Sequence, residues 1–354
     1  MKGKKRIAGV VLAALLSVTL ASCGDQPAET SASPGGLLVK GAGATFPQPL
    51  YERWIAEYRQ EHPEVTFTYE GVGSGEGVKR FLAGTVDFGA SDAAMSDADL
   101  AKVDPQRGAL LIPMTAGMVV LAYNVPGVDA GLSLARDVYI DIFAGKIRKW
   151  NDPRILEANP GLALPNLDIL TVVRRDSSGT TFAMTSHLAA ASPWWTEEGP
   201  GLGKLIDWPG NAMTAVGNAG VAQRVKMTDG AIGYMEYGFA MRLGLPVAAL
   251  ENRSGQMVVP SPESGQAALE PPTEETPLLR VFTPDPEGPG AYPITSYSWM
   301  LLYARYPDPA VAKALKDALD WGLTRGQPTA IEMGYIPLPD SMVAKAQAVL
   351  AQVQ

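Results

Sequence analysis

Hydrophobic and polar positions follow two different periods along most of this chain. Apolar side chains at every second residue, as at Val65, Phe67 and Tyr69, predict a strand. Between residues 47 and 61, apolar side chains recur at i, i+4, i+5 and i+8, which gives a helix one apolar face. Because strand-like and helix-like segments keep alternating, the pattern predicts an α/β fold.

The same patterns predict elements over the rest of the chain. Strands are expected near residues 37–39, 65–69, 86–92, 112–124, 169–173, 230–234 and 295–303. Helices are expected near residues 47–61, 97–102, 309–324 and 340–352, with two more opening after the turns near 74 and 178. The segment 260–293 holds nine prolines in 34 residues and predicts an irregular surface excursion.

The N-terminal residues have the pattern of an export signal. A basic start is followed by the apolar run Ile7–Leu20, 14 residues long, which is short for a membrane span. We therefore interpret residues 1–22 as a signal peptide and residues 23–37 as a lipidated Cys followed by a flexible tether.

The only cysteine of the chain, Cys23, ends the sequence Leu-Ala-Ser-Cys, which resembles a bacterial lipobox. Lipid on Cys23, such as palmitate, would anchor the protein to the cell membrane, in the periplasm or on the outer face. A plain cleavage site with an incidental cysteine is the alternative. With one cysteine the chain forms no internal disulfide, and Cys23, His62 and His187 cannot complete a zinc site.

Charge at first argues against any anionic partner. The formal net charge is -8, and removal of residues 1–22 takes away four basic and no acidic residues, leaving -12. Sequence-independent nucleic-acid binding needs a basic surface, so a nucleic-acid partner is excluded.

One unit recurs three times: a strand runs into a turn of small residues with a hydroxyl, and the turn opens a helix. The hydroxyls are those of Thr45, Ser74 and the pair Ser178 and Thr180. The first N–H groups of a helix have no intrahelical partner, so such turns suit oxyanions. Ordinary N-capping is the alternative for each hydroxyl taken alone. Arg174, close to Ser178, adds a planar donor for an oxyanion.

Enzyme motifs fail at the same turns. A Gly-x-Ser-x-Gly elbow is broken at Val72, two residues before Ser74. His187 could approach Ser178 along a helix, but with His62 as the only other base a catalytic triad is disfavoured. Asp87 and Asp92 lack a third carboxylate nearby in sequence, so no metal site is expected.

Six motifs in order resemble a known family, the periplasmic phosphate-binding proteins of bacterial high-affinity phosphate ABC transporters. The resemblance runs from about residue 38 to residue 342 and is weakest between 254 and 290. It rests on Gly-Ala-Gly-Ala-Thr-Phe-Pro at 41–47, Gly-Ser-Gly at 73–75, Val-Asp-Phe-Gly-Ala-Ser-Asp at 86–92, Arg-x-Asp-x-Ser-Gly-Thr at 174–180, Gly-Ala-Ile-Gly-Tyr at 230–234 and Tyr-Pro-Ile-Thr at 292–295.

The resemblance implies a two-lobe α/β periplasmic-binding-protein fold of the type II kind, with the ligand cleft between the lobes. Residues 38–114 and 293–354 would form a discontinuous lobe 1, and residues 115–292 would form lobe 2.

The resemblance also implies a ligand set and departures from it. Asp176 would be the acid that orients the ligand arginine. Arg174 and Arg175 are both candidates for that arginine, and the spacing of the motif favours Arg174. Ser177 replaces a common Gly, and Glu76 lies inside the glycine-rich turn. The implied phosphate ligands are Thr45, the N–H of Phe46, Ser74, Asp92, Arg174, Ser178, Gly179 and Thr180.

Asp92 would select phosphate over sulfate. Phosphate at neutral pH keeps a proton that a buried carboxylate accepts, whereas sulfate has none to give, so a carboxylate and a sulfate oxygen would face each other unpaired. An N-cap for a helix over residues 93–100 is the alternative role for Asp92.

From these residues we expect an extracytoplasmic, lipid-anchored, monomeric protein that binds inorganic phosphate and delivers it to ABC transporter permease subunits. No catalytic residue, cofactor or metal is expected. The alternatives are a receptor for another tetrahedral oxyanion, a secreted phosphatase with Ser178 or Thr180 as nucleophile, and a phosphate sensor.

Overall fold

The computed structural model describes residues 36–210, 212–269 and 277–354, all within one compact unit that begins at Gly36. The predicted signal peptide, Cys23 and nearly all of the predicted tether lie outside the described residues.

Strands and helices alternate along the described chain, as the hydrophobic pattern predicts. The strands are β1 (Leu37–Gly43), β2 (Val65–Gly71), β3 (Phe88–Ser91), β4 (Ala109–Asn124), β5 (Ser133–Leu134), β6 (Leu170–Arg174), β7 (Met213–Ala215), β8 (Ala231–Glu236), β9 (Ala249–Glu251), β10 (Met257–Val258) and β11 (Thr295–Tyr303).

The helices lie between and around these strands. They are α1 (Gln48–Glu61), α2 (Ser74–Leu82), α3 (Asp97–Leu100), α4 (Arg136–Phe143), α5 (Pro153–Ala158), α6 (Gly179–Ala191), α7 (Pro193–Glu197), α8 (Gly217–Lys226), α9 (Tyr237–Leu243), α10 (Pro262–Ala267), α11 (Pro309–Leu323), α12 (Gln327–Glu332) and α13 (Asp340–Leu350).

One eight-stranded sheet, in the order β2-β1-β3-β11-β4-β8-β6-β7, runs through the molecule. We call β2, β1, β3 and β11 the first half of this sheet, and β8, β6 and β7 the second half. The long strand β4 pairs antiparallel with β11 along one part of its length and with β8 along the rest, so it connects the halves. A smaller sheet has the order β10-β9-β5. The fold is the predicted mixed α/β, two-lobe arrangement.

Burial explains why the central strands lack the alternation of β2. All residues of β4 between its two ends are buried, as expected for a strand covered on both faces. The helix α1 instead turns one face inward, with Leu50, Tyr51, Trp54 and Tyr58 buried. The boundary between the two predicted lobes, residues 114 and 115, falls inside β4 and stays a prediction.

The proline-rich segment is less irregular than predicted. It contains the short helix α10, whose first turn is closed by a reciprocal capping box between Ser261 and Ser264. Further along, Leu279 and Val281 are buried. The prediction of a surface excursion is therefore wrong for those residues, because their apolar side chains pack into the core.

None of the helices in the described ranges is long and apolar enough to cross a membrane. Over those same ranges, no three His, Cys, Asp or Glu side chains cluster as metal ligands would.

Candidate functional site

The predicted turns meet where the two halves of the sheet face each other. The strand β1 pairs in parallel with β2 and with β3, so the turns after these three strands lie together at one edge of the sheet. The turn after β6 faces them, because the Gly179 N–H donates to Ser74 Oγ. The polar side chains brought there are all buried: Thr45, Ser74, Asp92, Arg174, Ser178 and Thr180.

Ser74 links the two sides of this site. Its Oγ accepts the Asp92 N–H at 3.2 Å from its own side and the Gly179 N–H at 3.1 Å from the other. Two N–H donors fill the two acceptor positions of a hydroxyl, so the Ser74 proton is left to donate. At present it faces Asp92 Oδ2 at 3.4 Å.

Asp92 is a carboxylate enclosed by donors. The residue is 1% exposed, and Oδ1 accepts the Ser298 hydroxyl at 2.8 Å. Burial raises the pKa of Asp92 to about 7, while the hydrogen bond from Ser298 and the charge of Arg174 act in the opposite direction. The alternative N-cap role is not observed, because α3 begins at Asp97 and is capped by Ser96.

Arg174 is held in place by Asp176. Its Nε donates to Asp176 Oδ1 at 2.8 Å, and its Nη2 donates to Oδ2 of the same carboxylate. Burial alone would raise the pKa of Asp176, but the hydrogen bonds and charge of Arg174 hold it below its ordinary value. The Arg174 side chain is 1% exposed, whereas Arg175 is exposed, so Arg174 is the arginine that lies in the site.

The helix α6 begins at this site. Ser178 is its N-cap and accepts the Thr181 N–H at 3.1 Å, so the capping interpretation holds for this hydroxyl. A Cβ on Gly179 would lie 2.5 Å from Ser74 Oγ and 2.6 Å from Asp92 Cβ. Glycine is therefore required for the N–H of residue 179 to approach both side chains.

Thr45 does not cap α1, so the alternative role that the sequence left open for its hydroxyl is not observed. The N-cap of α1 is Pro47, and Thr45 Oγ1 instead accepts two hydrogen bonds from Asn218, across the cleft. Phe46 is fully buried, and its carbonyl oxygen accepts the Tyr335 hydroxyl at 2.8 Å.

The two departures from the family motif, Glu76 and Ser177, each make specific contacts in the structure. Glu76 pairs with Lys79 at 3.2 Å and Arg80 at 3.1 Å on α2, and hydrogen bonds from Arg80 and Lys79 lower its pKa. Ser177 closes over Gly75: its carbonyl oxygen accepts the Gly75 N–H at 3.0 Å, and its Oγ lies 2.1 Å from where a Gly75 Cβ would be. Glu76 therefore faces its own helix, while Ser177 lies against the opposite turn.

Three residues of the site were not predicted from the sequence: Asn218, Ser298 and Glu236. Asn218 follows β7 in a fourth strand–turn–helix unit, and the recurrence of this unit in the sequence could have identified Asn218 as a site residue. Ser298 lies in the predicted strand β11, where alternation alone does not single it out. Glu236 ends β8, is fully buried and accepts the Gly238 N–H at 2.8 Å as the N-cap of α9.

Most of the groups that meet at this site are hydrogen-bond donors. Hydroxyls, the Gly179 N–H and a guanidinium are donors, and the Asp92 carboxyl, which faces the Ser74 hydroxyl, is an acceptor among them. Such a set suits a ligand that presents several acceptor oxygens together with one proton.

Comparison with known proteins gives the family. Residues 25–324 match the family model described as PBP superfamily domain. The phosphate-binding protein PstS of Pasteurella multocida is 39% identical over 88% of this chain and 89% of its own, and that of Methanocaldococcus jannaschii is 36% identical over 96% and 93%.

A solved structure agrees in fold. A high affinity periplasmic phosphate-binding protein bound with phosphate (PfluDING) has a TM-score of 0.73 at 23% identity, covering 88% of this chain and 93% of its own. With the family-model match and with relatives above 35% identity over most of both chains, the chain belongs to the PstS family of phosphate-binding proteins within the PBP superfamily.

Proposed function

We propose that this protein binds inorganic phosphate outside the cytoplasm and delivers it to the permease of an ABC transporter. The observation that carries the proposal is a buried cluster in which the Ser74 hydroxyl faces Asp92, the Gly179 N–H donates to that hydroxyl, and the charge of Arg174 acts on Asp92. The names of the relatives, phosphate-binding protein PstS, support the same ligand.

In this proposal the ligand residues divide by the side of the cleft. Thr45, the Phe46 N–H, Ser74 and Asp92 bind the anion from the first half of the sheet, with Asp92 accepting the phosphate proton. From the second half the ligands are Arg174, oriented by Asp176, together with Ser178, Gly179 and Thr180. Because donors come from both sides, phosphate stabilises the closed arrangement, which then docks on the permease.

Isothermal titration of the full chain with phosphate, arsenate and sulfate tests this function. We expect tight phosphate binding, competition by arsenate and binding of sulfate at least about 1000-fold weaker, since the Asp92 carboxylate has no proton to accept from sulfate. Equal affinity for sulfate would instead indicate a receptor for tetrahedral oxyanions in general.

The protein binds and releases phosphate without turnover in this proposal. Both nitrogens of His187 are used elsewhere, by the Tyr139 hydroxyl at 2.9 Å and by the Pro284 carbonyl at 2.9 Å, so His187 is not a base for Ser178. His62 lies at the surface against Glu64. Turnover of a chromogenic phosphate ester that Ser178→Ala abolishes would contradict this.

We also propose that the chain is exported and anchored by lipid on Cys23, and that it acts as a monomer, since every proposed ligand comes from one chain. Support for the anchor is the position of the sole cysteine after an apolar run. Cys23→Ala is expected to move the protein from the membrane fraction to the soluble fraction, with phosphate affinity unchanged. Continued membrane binding by this variant would rule out the anchor.

A further inference from the structure

Asn218 lies between two of the hydroxyls that the proposed function assigns to phosphate. Its side-chain Nδ2 donates to Thr45 Oγ1 at 3.0 Å and to Thr180 Oγ1 at 3.1 Å. Thr45 follows β1 and Thr180 lies in α6, so one fully buried amide connects the two sides of the cleft.

The orientation of this amide is fixed by its other end. The Glu236 backbone N–H donates to Asn218 Oδ1 at 3.0 Å. A backbone N–H only donates, so the oxygen of the amide must face β8 and the NH₂ group must face the threonines.

Each threonine oxygen then has both of its acceptor positions filled. Thr45 Oγ1 accepts the backbone N–H of Asn218 at 3.1 Å besides Nδ2, and Thr180 Oγ1 accepts Arg174 Nη1 at 3.4 Å besides Nδ2. A hydroxyl has one proton and two acceptor positions, so the hydrogen-bonding capacity left to each threonine is donation of its proton.

The backbone of α8 contributes to this arrangement. Gly217 has φ +68, a left-handed conformation that favours glycine, and its N–H donates to Asp176 Oδ1 at 3.0 Å. The first N–H groups of α8 are therefore used to hold Asp176 and Thr45, and they act on the site through those side chains.

We propose that Asn218 is a positioning residue that obliges the hydroxyls of Thr45 and Thr180 to donate to the bound anion. The inference rests on the proposed phosphate function and adds a specificity device to it. An amide presents two donors to the threonines, whereas a carboxylate in the same place would present acceptors. The hydroxyl protons would then turn away from the ligand, and oxygen lone pairs would face it.

The test measures phosphate affinity by titration for Asn218→Asp, Asn218→Ala, Thr180→Val and the double variant Asn218→Ala/Thr180→Val. We expect Asn218→Asp, which keeps the side-chain shape, to weaken binding about 100-fold or more, since two hydrogen bonds to the ligand are lost and a negative charge is added near the anion; about 1.4 kcal/mol is tenfold. If Asn218→Ala does not fold, Asn218→Asp replaces it in the double-mutant cycle with Thr180→Val, where the effect of the added charge appears in both arms.

A double-mutant cycle separates positioning from a merely structural role. If Asn218 acts through Thr180, the double variant loses less affinity than the product of the two single losses. Asn159→Ala is the matched control, because Asn159 is a buried amide bonded to Ser133 and Ile155. It is expected to lower the unfolding temperature while leaving phosphate affinity unchanged.

Unchanged affinity in both Asn218 variants, or fully independent losses in the cycle, would overturn the inference while leaving the phosphate function intact. Failure of the unaltered protein to bind phosphate would overturn the proposed function and the inference together.

Discussion

At the scale of single residues, the site depends on groups that are left to act only as donors or only as acceptors by the hydrogen bonds they already make. The Ser74 hydroxyl is left as a donor by two N–H groups, and Asp92 is an acceptor enclosed by Ser298 and Ser74. A protonated anion fits this polarity, and an anion without a proton does not.

The first prediction concerns Asp92. Asp92→Asn replaces the carboxylate by an amide of the same shape, which can donate to a sulfate oxygen. We expect the ratio of phosphate to sulfate affinity, measured by titration, to fall by at least about 100-fold. Asp97→Asn, at an exposed acid paired with Arg280, is the control and should leave the ratio unchanged. Retained selectivity in Asp92→Asn would contradict the proposed role.

The second prediction concerns the buried carboxyl of Glu236. Burial is the largest cause that raises its pKa, from 4.5 to about 8; the Gly238 N–H and the charge of Arg242 lower it, and Asp92 raises it further. Above pH 4.5 the unfolded chain releases this proton while the folded protein keeps it. The free energy of unfolding therefore falls as pH rises towards 8.

Glu236→Gln removes this titration. Between about pH 5 and pH 8, its free energy of unfolding should fall less than that of the unaltered protein, by on the order of 2 kcal/mol. Denaturant unfolding at several pH values measures the difference. Glu332→Gln, at an exposed position, should follow the unaltered protein. Parallel pH curves for Glu236→Gln and the unaltered protein would show that Glu236 is ionised in the fold.

At the scale of elements, the recurring strand–turn–helix unit supplies the donors, and its glycines allow close approach. Gly179 opens α6 directly against Ser74 and Asp92. The same unit appears a fourth time at β7 and α8, where it supplies Asn218.

The third prediction tests the approach of α6. Gly179→Ala places a methyl group where Ser74 Oγ lies 2.5 Å away, so the two sides of the site must move apart. We expect phosphate affinity, measured by titration, to fall by about 100-fold or more. Gly220→Ala is the control, because its added Cβ has no neighbour closer than 3.5 Å. Unchanged affinity in Gly179→Ala would mean that phosphate does not bind against this helix.

At the scale of the whole molecule, the proline-rich segment is attached to α4 by a partly buried ion pair between Arg136 and Asp285. Asp285 accepts two hydrogen bonds from Arg136 of α4, and the neighbouring Pro284 carbonyl accepts the His187 N–H at 2.9 Å. Burial lowers the pKa of His187 to about 4, so the ring is neutral and keeps this bond at ordinary pH.

The fourth prediction follows from that attachment. Asp285→Asn removes one charge of the pair and leaves a single acceptor oxygen, so one of the two hydrogen bonds from Arg136 is lost and the other is weakened, and residues 277–292 should open more often. We expect amide hydrogen exchange there to quicken about tenfold or more, since hydrogen bonds to charged groups contribute about 1.5–3 kcal/mol. Glu287→Gln, at an exposed acid paired with Arg253, is the control. Unchanged exchange in Asp285→Asn would show that other contacts hold the segment.

Much of the fold and part of the site follow from local patterns. The α/β alternation, the whole of β11 and the turn hydroxyls were predictable because each depends on residues close in sequence. Details that the sequence left open depended on distant partners: Thr45 has the chemistry of an N-cap, but Asn218, 173 residues away, donates to its hydroxyl oxygen. The sequence of the proline-rich segment predicts irregular structure, yet hydrogen bonds from Arg136 and packing against the core hold part of the segment in place.

The sequence by itself determined the donors and acceptors that lie at the strand–turn–helix units, such as Thr45, Ser74 and Ser178, because hydrophobic periodicity and turn chemistry are local. It also separated Arg174 from Arg175 by motif spacing. Only the tertiary structure decided which hydroxyls have their acceptor positions filled. It also decided that Asp92 is enclosed and is not an N-cap, and that Asn218 and Ser298 belong to the site. Those properties arise because strands that are distant in sequence are brought together across β4, and local sequence patterns do not indicate which strands pair there.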